Sequence, residues 1–129
     1  MQAIITGNPN WGDYPTLTEK LNKLFPPEKF ANLNLYSGVR PGAELIAALY
    51  AQENGHVTLV DMARNEGEDP LKHADRIIAE AQKTAARQKS PNNLVCLVVF
   101  GGENDIVSRH YCVVFEDIDL GKFIRRITI

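Results

Sequence analysis

Little in this sequence is in excess, and several things are missing. There are only two cysteines, Cys96 and Cys112, each inside an apolar run and without metal-type spacing. They are expected to be buried, reduced thiols, as in a cytosolic protein. The three histidines, His56, His73 and His110, are scattered, and no pair has the spacing of metal ligands. Their expected state is solvated or packed, and no metal site is expected. Charge of either sign is also scarce in net terms: 14 basic against 16 acidic residues leave −2. That excludes a global basic footprint for nucleic acid or for a membrane surface. No run approaches the length of a membrane span. The first seven residues carry no charged leader region, and their apolar run is too short for a signal peptide. Residues 7–12 read Gly-Asn-Pro-Asn-Trp-Gly, which is not G-x-G-x-x-G, and no G-K-[ST] occurs. These absences argue against ordinary NAD-dependent and ATP-hydrolysing enzymes. Ser37 and Ser108 lack a nucleophile-elbow context.

What is present is a chain of 129 residues, 44% hydrophobic, enough for one domain with a full-sized core. Residues 3–6 form a short apolar run ending at Gly7 and read as a buried strand. After a turn-rich stretch, Pro15 and Thr16 open an amphipathic helix with Leu17, Leu21, Leu24 and Phe25 on one face. Pro26 and Pro27 stop it. Residues 30–36 lead into a second strand. A helix follows from Gly42 to about Asn54, with Gly55 as its expected cap. Alanines at 43, 47, 48 and 51 suit that helix to close packing on a sheet.

Residues 56–60 read as a third strand and 61–69 as a polar, flexible loop. Pro70 then starts a long helix, roughly 71–88, whose stripe includes Leu71, Ala74, Ile77, Ile78 and Ala81. The basic stretch 83–89 suits a helix C-terminus, and 90–93 read as a loop. Residues 94–100, Leu-Val-Cys-Leu-Val-Val-Phe, are the most apolar run and read as a central strand buried on both faces. Residues 104–118 fit a helix or part of a hairpin. Asn104 and Asp105 as N-caps, and Gly121 as a stop, favour the helix. Residues 123–129 alternate as a last strand.

Alternation of five strands with four helices predicts an α/β, Rossmann-like three-layer sandwich. The expected sheet is five-stranded and mainly parallel, in the order 3-2-1-4-5, with helices on both faces. In such a sheet the strand-to-helix turns lie at one edge, where ligands bind near the reversal of strand order. Three of these turns are rich in glycine or small polar residues: 7–13, 37–44 and 101–105. In the second, Gly38 and Gly42 can adopt backbone angles closed to other residues and admit a ligand closely. Arg40 supplies a fixed cation beside a helix N-terminus, an arrangement suited to phosphate.

Three motifs also carry a family likeness. Gly7-Asn8-Pro9-Asn10-Trp11 with Tyr14 resembles the first-strand motif G-S/H-R-x-W/F…Y of the YspA/YpsA-type SLOG domains. Ser37-Gly38-Val39-Arg40-Pro41-Gly42-Ala43-Glu44 resembles their S/G-G-A-R-G-A-D turn, and Phe100-Gly101-Gly102 their P-G-G. The likeness runs along the whole chain in the right order. It implies a Rossmann-like fold and a nucleotide or nucleotide-derived ligand, in a superfamily that includes Lonely-guy phosphoribohydrolases and the DNA-processing protein A. There are departures: Pro41 replaces a glycine, Glu44 an aspartate, and Pro9 the first-strand arginine. The phosphoribohydrolase motif P-G-G-x-G-T-x-x-E is not retained, since Asn104 and Asp105 replace its Gly and Thr and Ser108 its glutamate.

The resulting expectation is a cytosolic binding or sensing domain for a small phosphate-containing ligand, with binding ahead of catalysis. Its expected ligand-binding residues are Gly7, Asn8, Trp11, Ser37, Gly38, Arg40, Gly42, Ala43, Glu44, Gly101 and Gly102. Each has a plainer role as well. Arg40 pairs with Glu44 at helix spacing, Trp11 packs, Asn8 and Asn10 hold a turn, and Glu103 and Asp105 cap the next helix. One alternative is a nucleotide N-glycosidic or phosphoribosyl hydrolase using Glu44, Glu103 or Asp105. Another is a protein- or single-stranded-DNA-interaction module, which the acidic balance disfavours. A homodimer is a further expectation.

Overall fold

The computed structural model describes residues 1–88 and 94–128; the expected loop at 90–93, Lys89 and Ile129 lie outside the described residues. The two most apolar runs form its centre. β1 (Gln2–Gly7) and β4 (Val95–Phe100) are buried along their whole length. They pair in parallel from Gln2 opposite Val95 to Gly7 opposite Phe100. A strand screened on both faces needs no alternation, so β4 runs apolar throughout and β1 is apolar from Ala3 to Ile5, with Gln2 and Thr6 buried as polar residues.

β2 (Leu33–Ser37) pairs with the other side of β1, and β3 (Val57–Asp61) lies outside it. β5 (Ile124–Ile127) pairs with β4 at the opposite edge. Every pairing is parallel and the order is β3-β2-β1-β4-β5, as the sequence predicts. The order reverses between β1 and β4.

Four helices cover the sheet: α1 (Tyr14–Leu24), α2 (Ala43–Glu53), α3 (Pro70–Arg87) and α4 (Ile106–Asp117). Three start on an aspartate. Asp13, Asp69 and Asp105 accept hydrogen bonds from amides of the first turns of α1, α3 and α4, and proline follows in α1 and α3. α1 and α2 pack on one face, where Leu17, Leu21, Ala47 and Tyr50 meet Ala3, Leu35 and Val98. α3 and α4 pack on the other, where Ile77, Tyr111 and Phe115 meet Ile4, Leu97 and Val99. The alanines at 43, 47, 48 and 51 are all buried against the sheet layer, as their small size suggests.

Helix ends depart from the sequence expectation. α2 ends on Asn54, in extended geometry, whose side-chain amide donates to Tyr50 O at 2.7 Å; Gly55 is not its left-handed cap. Residues 104–118 do carry a helix rather than a hairpin strand, but Gly121 does not stop it. Asp119 takes the left-handed position at φ 64°. Leu120 N then bonds Phe115 O and Asp119 N bonds Glu116 O, the paired closure of a Schellman motif. Gly121 instead opens a short 3-10 turn, Gly121–Phe123, and the last strand starts only at Ile124. The loop after β3, polar enough to read as flexible, is tied down. Arg76 grips Glu68 with two hydrogen bonds, 2.8 and 2.9 Å, and donates to Ala63 O at 3.0 Å. Among the described residues no helix is long and apolar enough to cross a membrane.

Candidate ligand-binding site

The three turns that the sequence brings to one sheet edge are joined there by a single side chain. Arg40 leaves the turn after β2, 20% exposed, and reaches both neighbours. Its Nε donates to Glu44 Oε2 at 2.7 Å. Its Nη2 donates to Asp105 Oδ2 at 2.8 Å and lies 3.3 Å from Gly7 O; Nη1 lies 3.3 Å from Asp105 Oδ1. Thr6 Oγ1 donates to Glu44 Oε2 at 2.9 Å and sits 3.4 Å from Arg40 Nη2. The end of β1, the start of α2 and the start of α4 therefore share one polar knot. Glu44 is 2% exposed, and Arg40 and Thr6 supply hydrogen-bond donors to its buried carboxylate. Its place in the first turn of α2 adds a favourable dipole.

Burial works against the Arg40 charge, but the hydrogen bond it donates to Asp105 and the Glu44 carboxylate outweigh it and raise its pKa above the ordinary value. For Asp105, burial pushes the carboxyl up, while hydrogen bonds from Arg40 and Ser108 outweigh that and hold it below its usual range. Ser108 contributes twice, through its amide at 3.1 Å and its hydroxyl at 2.6 Å. One cation thus meets two carboxylates, and the knot carries a formal negative charge.

The glycines of the turns are required by the chain itself. A Cβ on Gly38 would stand 2.7 Å from Glu44 Oε1 and 2.8 Å from His73 Cε1. Gly42 has φ 87°, and a Cβ there would strike the backbone of Asn8 and Pro9. The expected ligand residues divide accordingly. Ser37, Ala43 and Glu44 are buried; Ser37 Oγ donates to Glu44 O at 2.7 Å and accepts from Val39 N at 3.0 Å. The Ala43 amide donates to Asn8 O. Gly7 is closed in by Phe100 O and the Ala43 methyl. Trp11 stacks on Phe100 with centroids 5.0 Å apart, so one face of its ring is already covered.

The remaining residues border open space. A cleft of about 550 Å³ runs between the turn after β2, the loop after β3 and the start of α4. Gly38, Arg40, Arg64, His73, Asp105 and Val107 line it. A smaller cavity of about 220 Å³ lies between the turns after β1 and β4, over the reversal of strand order. Asn8, Asn10, Gly102, Glu103, Asn104 and Asp105 line this one. Asp105 belongs to both walls. Gly101 faces a third cavity, about 250 Å³, between α4 and β5.

Three residues of the cleft escape a reading of the sequence. Asp105 reads as a helix cap or as a carboxylate of the hydrolase alternative; its link to Arg40 depends on strand order. Arg64 sits in a loop whose composition says nothing of its place. His73 is 3% exposed, with Nε2 2.5 Å from Met62 O. Its signal was available: it lies four residues before Ile77 and eight before Ala81, on the inward stripe of α3.

A parallel sheet in this order, with ligand-sized space at its C-terminal edge, defines a Rossmann-like α/β protein. The model of the YspA, cpYpsA-related SLOG family matches residues 1–66, just over half the chain, and the protein belongs to that family. Membership associates it with nucleotide-related binding or processing. The match covers β1 to the loop after β3, and so includes Arg40 and Arg64 but not Asp105. No curated protein and no solved structure matches the chain.

Proposed function

We propose that this protein is a cytosolic binding or sensing domain for a nucleotide or nucleotide-derived ligand, held at the C-terminal edge of the sheet. The observation that carries this reading is the 550 Å³ cleft walled by Arg40, Arg64 and His73 beside the switch in strand order. Its volume suits a small ligand, and its two arginines suit phosphate. Family membership points the same way.

Binding is favoured over hydrolysis by the state of Asp105 and the engagement of Glu44. A general acid at neutral pH needs its pKa raised. Asp105 is held low, and Glu44 is buried and engaged by Arg40.

The test is a calorimetric and thermal-shift screen of nucleotides, ADP-ribose derivatives and nucleotide sugars. A saturable response in at least one class is expected; silence across the screen overturns the reading. Incubation with nucleoside monophosphates and assay for free base separates the hydrolase alternative, and no free base is expected.

A further inference from the structure

The two cavities at the sheet edge share one wall, Asp105, and differ in charge. The larger is lined by Arg40 and Arg64 against a single carboxylate. The smaller is lined by two carboxylates, Glu103 and Asp105, and by three asparagines, with no basic side chain among its described lining residues. An anion is attracted to the first and repelled from the second, and low-dielectric walls strengthen both effects. Asparagine and carboxylate groups instead match hydroxyls and the donor–acceptor edge of a base.

Arg40 stands between the cavities. Of its five N–H groups, the Nε hydrogen goes to Glu44, both on Nη2 point to Asp105, Thr6 and Gly7, and one on Nη1 goes to Asp105. The other Nη1 hydrogen has no acceptor among the described residues. The fork is therefore mostly spent inside the fold. It cannot grip a phosphate through two N–H groups while it holds Asp105. Arg64, exposed at the mouth of the larger cleft, carries no such internal bond among the described residues.

We infer that the ligand is a phosphorylated nucleoside that straddles the Arg40–Asp105 pair. Its phosphate lies in the larger cleft against Arg64, and its uncharged nucleoside lies in the smaller cavity against Asn8, Asn10 and Asn104. This placement rests on the nucleotide-binding reading above and deepens it. It makes Arg64 the phosphate residue. Arg40 becomes a positioning residue that fixes the divide between the two compartments and offers one remaining N–H to the ligand.

Backbone amide NMR of the full chain tests the placement, with inorganic pyrophosphate, adenosine and ADP as separate probes. Pyrophosphate is expected to shift the amides of Arg64, Ile106 and Val107. Adenosine is expected to shift those of Asn8, Asn10 and Asn104, and ADP both sets. Arg64→Glu is expected to weaken pyrophosphate and ADP binding roughly tenfold or more, the loss of one charge-assisted contact. Adenosine binding should be unchanged in that variant. Lys23→Glu, an equal charge change on an exposed side chain of α1, should leave all three unchanged. Pyrophosphate shifts centred on Asn8 and Asn104, or an Arg64→Glu variant that binds pyrophosphate as tightly as the parent, overturn the placement and leave the nucleotide reading standing. Absence of any saturable shift with all three probes overturns both.

Discussion

Arg40 Nη2 and Asp105 Oδ2 stand 2.8 Å apart although 65 residues separate them in the chain. The contact joins the turn after β2 to the start of α4 across the end of β1. It ties this edge of the sheet together, and its removal has calculable effects.

Replacing Arg40 by alanine leaves Glu44 buried without its cation. Breaking a buried pair in this way costs about 3 kcal/mol, and partial exposure of Arg40 puts the expected loss at or somewhat below that figure. Adding Glu44→Gln to Arg40→Ala should recover part of the loss, because the orphaned charge is then gone. Urea denaturation of the single and double variants measures both changes, and simple additivity of the two substitutions would contradict the coupling.

The acid limb of stability should depend on Asp105. Its carboxyl is held below the ordinary value in the folded state, so the unfolded chain takes up the proton first as pH falls. The contribution is then complete above roughly pH 5 and is lost as pH drops through the folded-state value. Glu68, drawn down to about 2 by its hydrogen bonds from Arg76, has the same sign. The stability gap between the parent and Asp105→Asn should accordingly narrow between pH 5 and pH 3. Denaturant midpoints at several pH values follow it; a constant gap counts against an ionised, paired Asp105.

Glycine substitutions should separate structural from idle positions. Gly42→Ala forces a left-handed alanine against backbone at Asn8 and Pro9 and is expected to cost more than about 2 kcal/mol. Gly55 has no neighbouring atom within 4 Å of an added Cβ and does not adopt a left-handed backbone. Gly55→Ala should be neutral or stabilising by up to about 1 kcal/mol, through the lower entropy of the unfolded chain. Thermal melts of the two variants make the comparison.

The two thiols should differ in accessibility. Burial pushes the Cys96 thiol up to about 12, inside β4. Cys112 on α4 is half-buried. A thiol-reactive chromophore should therefore modify one cysteine per native molecule, and two after unfolding in denaturant. Mass spectrometry of the digested adduct should place the native label on Cys112.

The fold was legible because its signals are collective. The apolar runs of β1 and β4 declare buried strands, and Pro15, Pro70 and the cap candidates Asn104 and Asp105 mark where α1, α3 and α4 begin. Helix ends were harder. Gly55 and Gly121 look like stops, yet Asn54 and Asp119 do that work, since polar side chains and tolerated left-handed geometry substitute for glycine. At the site, the sequence brings Arg40 and the three turns to one edge and correctly pairs Arg40 with Glu44. It says nothing of Asp105 as the second partner. That bond depends on which strands are neighbours and on a side-chain rotamer, neither of which leaves a periodic trace. Gly38 illustrates the same limit. A glycine beside a helix start reads as room for a ligand, yet nothing in the sequence says that a Cβ there would also meet Glu44 and His73.

The pairing of β1 with β4 has a consequence for how the chain is made. β1 leaves the ribosome ahead of the rest of the sheet and is one of its two most deeply buried strands, and Gln2 meets its β4 partner only when Val95 emerges. Until then β2 and β3 can shield one edge of β1, while the other presents open backbone and apolar side chains to whatever is nearby. Synthesis of the second half of this protein is thus a period of exposure for the first, and any pause before β4 lengthens the time in which that edge of β1 stays open.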